Sequence, residues 1–216
     1  VSATYDALGN RISLTDTLGN VSTFTYDVLN RQVAETDPLG NQTQTTYDLV
    51  GTISTKTDAK GTTTYTYDAN NRLVTIIYPD ATTATYTYDA NGNRLTAVDL
   101  AGTTTYAYTK LGQVAQVTDP FGMSVGYSYD PNGNRISTRY PGNKSVFYSY
   151  DALNRLIQVM DWGGVRTSYQ YDAAGNLTTT TMGNGATVSY AYDTAGRLLL
   201  KEDRDDQGAI LARYAL

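Results

Sequence analysis

The pair Tyr-Asp recurs along the chain at an almost constant interval, and this repetition limits the possible folds more than any other feature. The tyrosines of successive pairs, here called repeat tyrosines, are 20 or 21 residues apart. Such a period indicates a repeat architecture, in which each unit buries its apolar face only against its neighbours. The ten repeats begin at Tyr5-Asp6, Tyr26-Asp27, Tyr47-Asp48, Tyr67-Asp68, Tyr88-Asp89, Tyr108-Thr109, Tyr129-Asp130, Tyr150-Asp151, Tyr171-Asp172 and Tyr192-Asp193.

A turn is predicted directly after each repeat tyrosine. Four residues after the tyrosine the chain always has Gly or Asn, the residues that most readily adopt positive φ. The Asp is expected to cap the turn by accepting a backbone N–H two or three residues further on, and Thr109 would do so more weakly. The predicted positive-φ positions are Gly9, Asn30, Gly51, Asn71, Gly92, Gly112, Gly133, Asn154, Gly175 and Gly196.

A second turn, such as the one at residues 37–41, divides each repeat into two runs of strand length. Before the repeat tyrosine the pattern alternates, as in Tyr65-Thr66-Tyr67, so two aromatic rings face the same side. We expect these rings to form two rows, packed on each other and on one aliphatic anchor per repeat. The anchor lies six or seven residues after the tyrosine, and the extra residue is assigned to the turn. The anchors are Ile12, Val33, Ile53, Leu73, Leu95, Val114, Ile136, Leu156, Leu177 and Leu198.

Composition excludes several classes of function. The chain has no Cys and no His, which removes thiol nucleophiles, disulfides and the commonest general base and metal ligand. A net charge of -5 gives no electrostatic footprint for nucleic acid. No apolar run approaches the roughly 18 residues of a membrane span. We therefore expect no cofactor, no nucleic-acid partner and no membrane span. We also expect no enzymatic activity, because the residues that might do chemistry have structural roles that recur along the array.

These motifs resemble the YD repeats of the Rhs family. The resemblance is carried by the segments YDALGNRI, YDANGNRL, YDALNRLI and YDTAGRLL, together with second turns such as TDPLGN, and it covers essentially the whole chain. Close relatives are the shell-forming B and C components of bacterial toxin complexes and the extracellular region of teneurins. Thr109 departs from the pattern, and Thr52-Ile53 lacks the usual Asn or Arg. We expect both repeats to fold like the others.

The resemblance implies an all-β fold of tandem antiparallel β-hairpins joined into one continuous sheet that curls or spirals. Physical reasoning agrees, because open twisted sheets rarely exceed about ten strands without curling or splitting. A two-faced β-solenoid with parallel coils is the alternative fold. We expect residues 1–216 to form a single YD-repeat array, as a fragment of a longer shell.

The resemblance also implies a function. The chain is expected to be a structural, non-enzymatic segment of a secreted or surface-exposed bacterial shell that encapsulates or displays a toxin or partner. Its partners would be that toxin and the neighbouring repeats of the shell. One alternative is a carbohydrate-binding or adhesive module that uses tyrosine surfaces. The other is a filament that associates through unpaired sheet edges.

Two further features are candidate sites. Residues 202–206 are a dense charged cluster, Glu-Asp-Arg-Asp-Asp, which we interpret as a solvated hairpin turn ending at Gly208, with a weak cation site as the alternative. Trp162, in the predicted turn Asp161-Trp162-Gly163-Gly164, is the best single candidate for a surface contact.

Overall fold

The computed structural model describes residues 1–215, and the regular elements among them are 21 β-strands. All strands belong to one sheet, and the paired strands run antiparallel and follow one another in the chain. This confirms the predicted fold of tandem hairpins. The β-solenoid alternative is wrong, because its coils would pair in parallel. Within residues 1–215 no helix is long and apolar enough to cross a membrane.

The chain divides into two compact units, and the first comprises Val1–Thr105. Its strands are five or six residues long in most cases, as expected for runs between turns spaced about ten residues apart. They are β1 Ser2–Tyr5, β2 Arg11–Thr15, β3 Val21–Tyr26, β4 Gln32–Thr36, β5 Gln42–Tyr47, β6 Ile53–Asp58, β7 Gly61–Tyr67, β8 Leu73–Ile77, β9 Thr83–Tyr88 and β10 Arg94–Asp99. Strand β11, Gly102–Tyr108, continues from this unit into the second.

The second unit begins at Tyr106 and repeats the same hairpin design. Every odd-numbered strand from β13 to β19 ends at a repeat tyrosine, and the next strand begins after the YD turn. Its remaining strands are β12 Val114–Thr118, β13 Ser124–Tyr129, β14 Arg135–Tyr140, β15 Lys144–Tyr150, β16 Leu156–Met160, β17 Arg166–Tyr171, β18 Leu177–Thr181, β19 Thr187–Tyr192, β20 Leu198–Arg204 and β21 Ile210–Ala215.

The two faces of the sheet differ in burial. We call the face that carries the repeat tyrosines the tyrosine face. The residue between two aromatics, such as Thr66 or Ser149, is exposed on the opposite face, whereas the rings are half-buried. The most buried apolar side chains lie two or four residues before a repeat tyrosine and therefore point to the tyrosine face. They are Phe24, Ala84, Val146 and Val188. Burial therefore comes from adjacent strands of the same sheet.

The register after the YD turn differs from the prediction. The repeat tyrosine pairs with the residue six positions on, whether the anchor follows at six, as in Tyr47↔Ile53, or at seven, as in Tyr5↔Arg11. A β-bulge follows at the next position in both kinds of repeat. The anchor Ile53 is therefore a paired residue, whereas the anchor Ile12 lies in the bulge and is 40% exposed. Assigning the extra residue to the turn was wrong, because the hydrogen bonds of the turn fix its length.

Candidate functional site

The YD turn has the same hydrogen bonds in every repeat. In the first repeat the amide of Asp6 donates to the carbonyl of Asn10 at 2.9 Å, and the amide of Gly9 donates to the carbonyl of Asp6 at 3.1 Å. These two bonds close a five-residue turn and place its fourth residue in the left-handed region. The same pair of bonds recurs after all ten repeat tyrosines.

The fourth turn residue has positive φ in all ten repeats, which confirms the prediction. The φ values lie between 59 at Asn30 and 94 at Gly51. Because a side chain with a Cβ is strained in this region, and Asn is the least strained of the alternatives to Gly, the two residue types share the position.

The Asp of each pair caps its turn through the side chain. Asp27 Oδ1 accepts the amides of Leu29 and Arg31 at 2.9 and 3.0 Å. The second amide is four residues on, rather than three as predicted, because the amide between them already donates to the main-chain carbonyl of Asp27. The hydrogen bonds from the backbone and side chain of Arg31 hold the pKa of Asp27 below its usual range.

Thr109 caps its turn with longer bonds, as predicted. Its Oγ1 accepts the amides of Leu111 and Gln113 at 3.2 and 3.3 Å, compared with 2.8–3.0 Å at the Asp turns. A hydroxyl carries no charge to attract these amides. The repeat nevertheless keeps the same main-chain bonds, so this departure from the motif leaves the fold of the turn unchanged.

The repeat tyrosine has a role that the sequence did not reveal. Tyr171 Oη donates to the carbonyl of Leu156 at 2.8 Å, which reaches back into the preceding repeat. Six other repeat tyrosines, beginning with Tyr26 and its bond to Arg11, do the same. All ten positions carry Tyr and never Phe, although Phe24 occupies the neighbouring aromatic position. That preference for a hydroxyl was the available signal.

Arginines of the turn form a second connection between repeats. Arg155 Nε donates to Asp151 Oδ2 at 2.7 Å within its own turn, and its Nη1 donates to the carbonyl of Asp172 in the next turn at 3.2 Å. The guanidinium also lies over the ring of Tyr171, 4.8 Å from its centroid. Arg72 makes the corresponding contacts in its own repeat. Each such arginine therefore binds its own Asp and the next repeat together.

Two of the four repeats with Asn at the end of the YD turn use side-chain amides instead. Asn10 Nδ2 donates to Asn30 Oδ1 at 3.0 Å, and Asn134 Nδ2 donates to Asn154 Oδ1 at 2.7 Å. These repeats place their arginine one residue later, where Arg135 lies over the ring of Tyr148 at 4.8 Å. In these two repeats the Asn side chain thus makes the contact to the following repeat that arginine makes elsewhere.

The aromatic rows are organised differently from the expectation. Guanidinium groups lie over the rings in several repeats, and Arg135 lies within 5.9 Å of Tyr127 as well as over Tyr148. One ring-to-ring contact joins Tyr140 and Trp162, which are outside the repeat rows. Cation–π contacts, each contributing about 0.5–1 kcal/mol at exposed sites, therefore add to the packing that we expected in these rows.

The prediction of a solvated turn at residues 202–206 is only partly right, because residues 202–204 are the end of β20 and the turn itself begins at Asp205. Glu202 is buried and bonds Arg204 at 2.6 Å, with Arg213 3.6 Å away on the next strand. Asp205 caps the following turn, in which Gly208 has φ of 84. Across the described residues no group of three or more acidic side chains is arranged to hold a metal ion.

Trp162 lies in the turn between β16 and β17, and its place in a turn confirms the prediction. It is 59% exposed, and its ring meets Tyr140 edge-on at 6.2 Å. Lys144 Nζ is 5.3 Å from the ring centroid. The residue is therefore part of a small exposed cluster rather than a lone surface tryptophan.

Taken together, the hairpins, the capped YD turns and the tyrosine links define a YD-repeat sheet protein. A family model described as teneurin YD-shell matches residues 98–212, and one described as RHS repeat matches residues 5–42 and 47–83. Since the first match covers more than half of the chain, the protein belongs to the YD-shell family. No curated protein sequence matches it.

Solved structures of toxin complexes share this fold. The Tc holotoxin pore of Photorhabdus luminescens superposes with a TM-score of 0.68 at 16% identity, covering 99% of this chain and 14% of that one. A TcdB2–TccC3 complex superposes with a TM-score of 0.61 at 14% identity, covering 98% of this chain and 17% of that one. The chain therefore spans about one sixth or less of these proteins.

Proposed function

We propose that the chain is a non-enzymatic segment of the wall of a secreted or surface-exposed bacterial shell, which encapsulates or displays a toxin or another polypeptide. One observation carries this proposal: the tyrosine hydroxyls bond the main chain of the preceding repeat, so adjacent hairpins are fastened to each other beyond their strand pairing. A wall of this kind acts sterically, because it separates what lies on its two sides.

The side chains that could perform chemistry already have structural partners, which supports a role without catalysis. The turn carboxylates accept two amides each and a side-chain bond, as at Asp68 with Arg72. Tyrosine hydroxyls that a sugar-binding surface would present are donors to main-chain carbonyls. Carbohydrate binding and edge-to-edge association remain predictions; glycan binding and light scattering of the purified chain test them.

The proposed partner follows from the relatives. The solved proteins of this fold are a holotoxin and complexes of TcdB2 with TccC3, and each is several times longer than this chain. We infer that residues 1–216 act as one array within a longer shell, and that additional hairpins on either side complete the wall.

Limited proteolysis of the full-length gene product tests the proposal. Proteinase K should leave the array and an internal polypeptide intact, because an enclosed chain is out of reach of the enzyme, and mass spectrometry would identify both. The same digestion in urea, which opens the sheet, should degrade the internal polypeptide. If every segment outside the array is cleaved under native conditions, the wall encloses nothing and the proposal is wrong.

A further inference from the structure

One position in the second unit breaks the repeat pattern on the face opposite the tyrosines. The residue three positions before a repeat tyrosine pairs with a residue of the next strand. Before Tyr129 this residue is Gly126, which has no side chain and is paired with Arg139. The eight other pairs defined at this register all carry a side chain on the first strand. They are Ser2↔Thr15, Thr23↔Thr36, Gln44↔Thr57, Thr64↔Ile77, Thr85↔Val98, Phe147↔Met160, Ser168↔Thr181 and Ser189↔Glu202.

The backbone does not require glycine at residue 126. Its φ is outside the positive range, and a Cβ there would make ordinary contacts, 3.8 Å from the carbonyl of Ala115 and 3.9 Å from Arg139 Cβ. Glycine at this position instead leaves space. Gln116 flanks it on β12 and Arg139 on β14, so a side-chain-sized gap opens between two long polar side chains.

This gap is the floor of a cleft of about 470 Å³, here called the Gly126 cleft. Ser124 and Gly126 line it from β13, and residues 122–123 and 141–143 line it from the two neighbouring turns. Ligand pockets in proteins commonly have volumes of about 300–1,000 Å³. The cleft is therefore large enough for an amino-acid side chain together with part of its backbone.

The positive charge of the cleft favours an anionic ligand. Arg139 is the one lining residue that is charged at neutral pH, in a chain whose net charge is -5. Among the described residues nothing forms an ion pair or hydrogen bond with its guanidinium. By contrast Glu202, the charged residue at the same register in another repeat, has two arginines beside it. The charge of Glu202 is thus neutralised within the array, whereas the guanidinium of Arg139 is free to bind a ligand.

We propose that the Gly126 cleft binds a single carboxylate of a polypeptide, from an acidic side chain or a C-terminus. The guanidinium fork matches a carboxylate, and the amides of Gln116 and Asn143 add neutral donors at the wall and rim. Met123 and Pro141 offer apolar contact to the methylene groups of the ligand. A phosphate group carries nearly two charges, which one arginine would leave half neutralised.

Titration followed by NMR tests this directly, with the Arg139 Nε–H signal and the amides of Gly126 and Gly142 as probes. The ligands are acetyl-Ala-Glu-Ala-amide and acetyl-Ala-Ala with a free C-terminus, which separate the two carboxylate sources. The matched neutral peptides are acetyl-Ala-Gln-Ala-amide and acetyl-Ala-Ala-amide. At least one carboxylate peptide should shift these signals saturably, and its neutral counterpart should not.

Two variants locate the site without disturbing the fold, since each introduces a residue that the array uses at the same register. Arg139→Thr should weaken binding by about tenfold or more through loss of a charge-assisted hydrogen bond, and Gly126→Thr should do so by filling the gap. Ser168→Thr makes a comparable change at the same register two repeats further along the chain and should leave binding unchanged.

Several outcomes would overturn the proposal. Equal binding of acid and neutral peptides would remove the role of charge, and unchanged affinity in both variants would remove the site. Tighter binding of inorganic phosphate or glucuronate than of the carboxylate peptides would show that the ligand class is wrong.

Discussion

Removing one tyrosine hydroxyl should loosen the connection between two repeats without changing either hairpin. In Tyr171→Phe the half-buried ring stays, and so does the guanidinium of Arg155 at 4.8 Å from its centroid. The change deletes only the 2.8 Å bond to the carbonyl of Leu156. A typical intramolecular hydrogen bond contributes about 0.5–1.5 kcal/mol, so we expect a loss of about 1 kcal/mol.

The same strand supplies a matched control. Tyr169 lies two residues earlier on the same face, and its hydroxyl has no hydrogen-bond partner among the described residues. Tyr169→Phe should therefore change the free energy of unfolding by less than about 0.5 kcal/mol, as is usual for substitutions that remove no specific interaction. The comparison separates the hydroxyl bond from any general effect of replacing Tyr by Phe.

Urea unfolding followed by circular dichroism measures both variants, and hydrogen exchange of the amides in β16 and β17 locates the effect. A loss of 1 kcal/mol corresponds to about 2–4 °C in melting temperature for a chain of this size. Tyr150 makes the equivalent bond one repeat earlier, about 10 Å away at the usual strand spacing. Tyr150→Phe with Tyr171→Phe should therefore cost close to the sum of the single changes. If Tyr171→Phe is as stable as the wild type, or Tyr169→Phe loses as much, the hydroxyls do not fasten the repeats.

Three further predictions concern the YD turns. Gly175 has φ of 92° with open space around it, so Gly175→Ala should lower the free energy of unfolding by about 1–2 kcal/mol through backbone strain alone. Gly126→Ala, at negative φ, should lower it by less in the same urea titration, and equal losses would contradict this. Thr109→Asp should raise the melting temperature by replacing the longest capping bonds with charged ones; a lower value would contradict the capping role. The carboxyl pKa values of the nine turn Asp residues are lowered from 3.8, in Asp6 chiefly by the Asn10 side chain. Their stabilisation is therefore complete above pH 3.8 and lost as the pH falls through the lower native values, so the melting temperature measured down to about pH 2 should drop steeply there; a flat profile would refute it.

Local structure was predictable because the turn is encoded within five consecutive residues. Gly or Asn at one fixed offset specifies positive φ, and the preceding Asp specifies a cap, so residues such as Asp27 and Asn30 determine their own conformation. The alternation of Tyr65, Thr66 and Tyr67 likewise fixes which residues share a face. Neither inference requires knowledge of what lies on the neighbouring strand.

The register could not be predicted from the hydrophobic pattern. We had aligned the anchors, and the structure instead aligns the turns, so that Tyr88 pairs with Arg94 and Leu95 lies in the bulge. An arginine can take the aliphatic position because its methylene stem packs as an apolar group while its guanidinium lies over a ring. A hydrophobicity scale treats Arg94 and Leu73 as opposites, although they occupy the same place in their repeats.

A residue that departs from the repeat pattern can have a structural or a functional cause. Comparing how each such residue affects the fold distinguishes the two. Thr109 replaces the turn Asp, and the same bonds form at greater length, so this change is tolerated within the structural role of the turn. Gly126 opposite Arg139 removes a side chain that the backbone would accept and introduces an unneutralised charge. The eight other pairs defined at this register keep a side chain on the first strand, so the sheet forms without the gap that Gly126 leaves. Because the fold does not require this pair, the Gly126 cleft is the place where we propose that the wall contacts its partner.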